Sequence, residues 1–325
     1  MSKKTRYFVV TAAAILAVGL TTGLVASYMG LPVAFSSAAG PDELQYVPAD
    51  ASVVAYADVR QIMDSEFRER FRQFEPDTQE RDEFEAKTGV NIDEDINTVV
   101  AALTVGEGTS PEKGMLILAR GRFNLSRLES LALEHGGQVE PYNSKILLVH
   151  KTDAGTSEMA IGFLEPDLIA LGSYDAVKKS IDAKAGRNIV STNADIMREI
   201  SELDASNAWA VGRFDAIASS AELPAEIQAH LPAIQWFSAA THINGGVSGM
   251  FKAEARDEAA AQNMRDVLNG FLALAKMQSS SHPELKTMID SVQLSGDGTN
   301  VAVSFTLPSE LFDALAELKK LEEAH

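Results

Sequence analysis

Asp50-Ala51-Ser52-Val53-Val54-Ala55-Tyr56-Ala57-Asp58 and Asp204-Ala205-Ser206-Asn207-Ala208-Trp209-Ala210-Val211-Gly212 share an Asp-Ala-Ser opening and a short apolar run. Each run has the length and composition of a strand entered from a turn. Later landmarks repeat in the same order. Val99-Val100-Ala101-Ala102 corresponds to Trp236-Phe237-Ser238-Ala239-Ala240, and Gly114-Met115 leading to Ala119-Arg120 corresponds to Gly249-Met250 leading to Ala255-Arg256. Met159 to Leu164 resembles Val301 to Leu307. The repetition predicts two related α+β modules with antiparallel sheets covered by helices, spanning 45–190 and 191–325.

Local signals fill in the first copy. Met63, Phe67, Phe71 and Phe74 recur at helical spacing, and a short helix near 79–87 runs into Gly89 as a C-cap. Strands near 96–105 and 114–120 flank a loop too long for a tight turn. Asn124 caps a helix over 125–134 that Gly136-Gly137 stops. Strands near 145–151, 158–164 and 168–172 precede a helix at 173–184. In the second copy, strands near 207–213, 234–242 and 247–255 lead to a helix from Asp257 to Met277, and strands near 290–296 and 300–307 follow. Glu310 to Leu321 places Leu311, Leu315, Leu318 and Leu321 near one helical face, which suits packing on its own sheet or on a partner.

Ahead of the modules, Lys3, Lys4 and Arg6 lead into an uncharged apolar run from Tyr7 to Phe35. About 20 residues span a hydrocarbon core, so Tyr7 to Leu31 suffices for an N-terminal transmembrane helix. Residues 1–35 read as a basic region and signal anchor, and 36–44 as a tether. A signal cleaved near Ser37-Ala38-Ala39 and a one-leaflet role are the alternatives. Basic residues before the span place the N-terminus in the cytoplasm and the rest in the periplasm, or outside the cell if there is no outer membrane. Gly19 and Gly23 have the small-xxx-small spacing of packed transmembrane helices, so homodimerisation through them competes with a role as plain lipid-facing filler.

Beyond the anchor, 25 basic residues face 46 acidic ones. That balance repels nucleic acid and anionic headgroups. The absence of Cys excludes disulfides, thiolate metal ligands and thiol catalysis. Asp93-Glu94-Asp95 lacks a full calcium-loop pattern, and Asp93 suits a turn or helix cap. Asp297 between Gly296 and Gly298 is a hairpin turn. The histidines form no short zinc motif. His150 and His242 read as sheet residues, and His135 as a helix-end residue favoured by the dipole. Ser248 lacks the Gly-x-Ser-x-Gly frame of a nucleophile elbow. No phosphate loop occurs, so no catalytic residue, metal or cofactor is assigned.

Aromatic residues carry the remaining signal. Trp209, Trp236 and Phe237 fall in apolar strands of the second copy, and with Met250 and Phe251 they are candidates for a ligand groove or interface, with a buried core as the plain alternative. Pro48-Ala49-Asp50-Ala51-Ser52-Val53-Val54 resembles the opening of uncharacterised bacterial exported or membrane-anchored proteins. That resemblance implies an exported pair of α+β modules and transfers no catalytic residue. The favoured expectation is a noncatalytic envelope binding or scaffold protein with an envelope protein partner. A hydrophobic small-molecule or lipid carrier or sensor, and an unusual envelope hydrolase, are the alternatives.

Overall fold

The computed structural model describes residues 41–66, 79–105, 114–151, 158–203, 206–214, 216, 234–243, 246–278, 286 and 289–308. The expected anchor with Gly19 and Gly23 lies outside these residues, as does the terminal segment from 309. Among the described residues no helix is long and apolar enough to cross a membrane. The described chain is α+β with antiparallel sheets and divides into two units: 41–60 with 79–201, and 61–66 with 202–308. The division falls inside a short helix, α1 (Val59–Met63).

In the first unit, β1 (Val53–Asp58), β2 (Ile96–Leu103) and β3 (Met115–Gly121) form a meander. Three more strands, β7 (Leu168–Ser173), β6 (Glu158–Glu165) and β5 (Lys145–Lys151), extend it from β3, and β4 (Gln138–Tyr142) forms the edge. Side-chain alternation gives the sheet two faces. One carries the row Tyr56, Val100, Leu118, Ala170, Gly162 and Leu147. Its cover is α5 (Tyr174–Gly186), which buries Val177, Ser180 and Ile181. A Cβ at Gly162 would stand 2.8 Å from Val177 Cγ1, so glycine there permits the close approach. Every residue of β7 is buried, which suits a central strand covered on both sides.

Among the described residues the remaining α-helices of this unit are α2 (Gln79–Thr88), α3 (Ile92–Asp95), α4 (Leu125–Glu134) and α6 (Ala194–Ser201). Asn124 caps α4 by accepting from Arg127 N at 3.0 Å, and His135 closes its far end through Leu131 O, as their positions imply. Two features depart from the expected layout. Asp42–Tyr46 is a 3-10 turn with Glu43 and Leu44 buried, so the chain joins the unit before the expected end of the tether. Helix α6, with Ile196 and Ile200 buried, belongs to the first unit instead of opening the second.

The second unit has strand order β11-β12-β10-β9-β8, built from β8 (Ala208–Arg213), β9 (Ile234–Ile243), β10 (Gly246–Ala255), β11 (Gln293–Ser295) and β12 (Asn300–Pro308). Among its described residues the long helix is α7 (Glu258–Gln278), which packs Ala261 on Ala255 and Val301, with Met264, Leu268 and Leu294 around them. Asp297 lies in the β11–β12 turn, where Asn300 N donates to its carbonyl at 2.9 Å. Matching Met159–Leu164 to Val301–Leu307 sets β6 against β12, yet the strand beside β3 is β7 and the strand beside β10 is β12. Short apolar alternation is common to all of these strands, so composition alone could not tell β6 from β7.

Candidate functional site

The densest set of ionisable groups lies on the α5 face of the first unit. Arg120 on β3 donates from Nε to Glu43 Oε1 at 2.5 Å, from Nη1 to both Asp167 carboxylate oxygens at 2.9 Å, and from both Nη atoms to Glu165 Oε2 at 3.2–3.3 Å. Thr98 adds a hydroxyl to Glu43 at 3.0 Å. Tyr46 and Lys184 both donate to Glu165 Oε1, at 3.0 and 2.9 Å, and the Lys184 ammonium stands 4.0 Å from the Tyr46 ring centre. These groups come from the 3-10 turn, β2, β3, β6 and α5, so the cluster ties the start of the described chain to the sheet.

Electrostatics agree with a structural knot. Burial pushes the Glu165 carboxyl up, but hydrogen bonds from Lys184, Tyr46 and Arg120 outweigh it and hold the group below its ordinary range. Burial lowers Lys184, and the bonds to Tyr46 and Glu165 reverse this into a net rise. Tyr56, on the same face, is raised first by burial and then by Asp58 and Glu43. Each acid in the knot is engaged by a cation, so the cluster has no general base poised for proton transfer.

The acidic run at 93–95 is also structural. Asn91, not Asp93, caps α3 by accepting from Asp93 N at 3.0 Å and Glu94 N at 3.2 Å, while Asp95 Oδ2 accepts from Asn91 N at 2.8 Å. Arg122 Nε donates to Asp95 Oδ1 at 2.9 Å. The depression beside it, of about 510 Å³ and lined by Gly89, Asp95, Arg122 and the start of α4, is wide open to solvent. No grouping of three or more potential metal ligands occurs among the described residues. Ser248 sits inside β10 opposite Thr306, not on a strand-to-helix turn.

The aromatic candidates separate between two faces of the second sheet. In the β8–β9 register Trp209 lies opposite Ala240 and Trp236 opposite Arg213, so alternation puts both tryptophans on one face with Ser238 and His242. The Ala255–Ile234 pair places Phe251 on that face too, and Ala255 shows it to be the side that α7 covers. Phe237 and Met250 point the other way. Thus the structure brings together Trp209, Trp236 and Phe251 and excludes Phe237 and Met250 from that group. Trp209 is buried, Trp236 half-buried, and Phe251 is 43% exposed.

Helix α7 supplies the wall beside them. With about 100° of turn per residue, Leu268, Leu272 and Ala275 fall within about 40° of Ala261, while Arg265 and Lys276 lie about 40–60° to one side. Val267, Phe271 and Leu274 lie about 80–140° to the other. Arg265 Nη1 donates to Asn300 O at 3.0 Å beside the β11–β12 turn, and the Asp290 carboxyl just ahead of β11 is held below its ordinary range chiefly by its hydrogen bond from Lys286, with the Lys276 charge adding a smaller share. The polar flank therefore faces β11, and the apolar flank faces β10 and β9. Val267, Phe271 and Leu274 are 57%, 65% and 52% exposed. Phe251 is exposed on the same sheet face, and these four side chains outline an apolar shelf.

Two buried polar atoms share the shelf's face. Ser238 is 1% exposed, and among the described residues no hydrogen-bond partner reaches its Oγ or His242 Nδ1. Such orphaned atoms are uncommon in native cores. Ser238 carries no signal as a site in the sequence. Val267 and Phe271 share one broad apolar face with Ala260, Met264, Leu268, Leu272 and Ala275 in the sequence, and periodicity alone does not divide that face into a covered part and an exposed flank.

Compared with known proteins, the chain matches no family model, and no curated protein matches it. A solved structure titled "Structure of crystal form I of TP0453" is similar with a TM-score of 0.46 and 11% identity, over 86% of this chain and 98% of that one. A likeness of that depth carries no argument about fold or function.

Proposed function

We propose that this chain is a noncatalytic binding protein of the cell envelope. Tyr7 to Leu31 holds it in the inner membrane, and two related α+β modules lie on the outer face, in the periplasm where an outer membrane exists. The second module takes an apolar segment of an envelope protein along Trp236, Phe251 and the free flank of α7. The observation that carries this reading is the exposed apolar flank of α7 beside Phe251 on one sheet face. Aromatic anchors next to aliphatic side chains are the usual centre of a protein interface. The anchor restricts the search for a partner to the membrane vicinity.

The test is crosslinking of the full chain in native membranes with identification of attached partners, repeated with Phe271→Glu. Reproducible protein partners lost in that variant support the reading, and no protein partner overturns it. A reporter fused after His325 should report from outside the cytoplasm. The carrier reading keeps one specific support: Ser238 Oγ and His242 Nδ1 suit a ligand with an apolar body and a hydrogen-bonding head. Copurification of such a molecule in place of a protein partner would favour it.

A further inference from the structure

We infer that the partner taken by the exposed flank of α7 is a second copy of this chain, docked through the same helix running in the opposite direction; the inference rests on reading that flank as a binding site. Spacing is the first support. Val267, Gly270, Leu274 and Met277 follow one another at intervals of three, four and three. At about 100° of turn per residue they fall within an arc of about 80°. This is the pattern of a seam between two packed helices, with Val267 and Leu274 at one repeat position and Gly270 and Met277 at the other. Val267, Leu274 and Met277 are all more than half exposed, Met277 at 67%, and Phe271 and Ala273 border the seam as exposed apolar neighbours.

Complementarity sets the direction. In an antiparallel pair centred near Leu272, Leu274 of each copy meets Gly270 of the other, and Val267 meets Met277, so every layer joins a larger side chain to a smaller one. Gly270 has room for this, because a Cβ there would meet nothing within 4 Å. A parallel pair would set Gly270 on Gly270 and forfeit contact at that layer. Charge points the same way. From Val267 to Gln278 the sole charged residue is Lys276, on the polar flank, and Asp266 precedes the seam. A parallel pair brings the two Asp266 carboxylates level, whereas the antiparallel pair offsets them by about 18 Å along the axis, beyond the screening length of about 8 Å.

Area is the third support. At about 150–200 Å² for a whole apolar side chain, the exposed parts of Val267, Phe271, Leu274 and Met277 amount to roughly 400 Å² per copy. That is about half of the roughly 800 Å² that each side of a stable pair buries. Phe251, Asn263, Gly270 and Ala273, exposed around the seam, supply further surface. The same patch serves on both copies, so the assembly closes at two.

The chain has no Cys, so introduced thiols are unique. Full-length chains carrying Val267→Cys or Met277→Cys, with different tags, are produced together in their membrane and treated with a short bismaleimide. The expected product is a mixed dimer at least tenfold more abundant than the dimer of either variant with itself, because like positions lie about 15 Å apart along the antiparallel pair. Adding Gly270→Glu to both chains should abolish the link while leaving the circular dichroism spectrum unchanged, since no atom stands near that position. Leu274→Asp gives the same comparison. Like-position dimers of equal yield, or equal linking through Asn269→Cys, which is exposed but turned off the seam, overturn the proposal. The two readings fail separately. A different protein captured by p-benzoylphenylalanine at position 271, with no link between copies, removes the second copy as partner and leaves the binding site. No protein product of any kind overturns both.

Discussion

Replacing Arg120 with Met removes the hub of the ionic knot while keeping an unbranched apolar stem. Asp167 is half exposed and returns to water, where a surface pair contributes at most about 1 kcal/mol. Glu165 keeps Lys184 and Tyr46. Glu43 is different, because it is 3% exposed and retains only the Thr98 hydroxyl. Stranding one member of a buried pair costs about 3–5 kcal/mol. For a unit of roughly 150 residues that corresponds to a melting point lower by about 6–20 °C. Thermal unfolding followed by far-ultraviolet circular dichroism measures it. The companion Glu43→Gln/Arg120→Met removes the buried charge and should regain at least half of the loss. A single variant that loses less than about 1 kcal/mol, or a double variant no better than the single, refutes the assignment of the cost to Glu43.

Acid should weaken the same knot. Glu165 lies below its ordinary range when folded, so its stabilisation is complete above the unfolded value near about 4.3 and is lost as pH falls through the folded value. Lys184 lies above its ordinary range, so its share persists below about 10.4 and fades as pH rises through the folded value. Urea titrations across pH should therefore show the acid limb flattened in Glu165→Gln. Gly172→Ala should destabilise by about 3 kcal/mol in the same assay, since its Cβ would stand 2.2 Å from the Met115 carbonyl oxygen. Asn124→Ala removes the α4 cap and should cost about 1 kcal/mol. Ser238→Ala loses no hydrogen bond in the described structure and should leave stability within about 0.5 kcal/mol; a larger loss would expose a partner for its Oγ.

How much of this was legible in sequence follows from the range of each interaction. Helix α4 matches its expected span because Asn124 and the Gly136-Gly137 pair act within a turn of its ends. Edge strand β4 was missed, since Pro141 breaks the usual strand signal and Val139 is exposed, as an edge permits. The knot was invisible because Glu43, Arg120, Glu165 and Lys184 are brought together only by the register of distant strands and the placement of α5. Sequence alternation separates Trp236 from Phe237, but which of them looks toward α7 depends on a helix placed after β10. The 3-10 turn at Asp42–Tyr46 reads as tether in sequence because what holds it, such as the bond from Ser180 Oγ of α5 to Tyr46 O, spans 134 residues.

Aromatic residues are divided between the units in a way that separates their optical signals. Among the described residues every tryptophan, Trp209 and Trp236, lies in the second unit, and every tyrosine, Tyr46, Tyr56, Tyr142 and Tyr174, lies in the first. Light absorbed only by indole thus reports on the half that bears the shelf, and once Tyr7 and Tyr28 of the expected anchor are replaced by Phe, tyrosine emission follows the half that bears the knot. A chain so altered carries one intrinsic chromophore type for each half, which can show whether the halves lose their order together or in sequence.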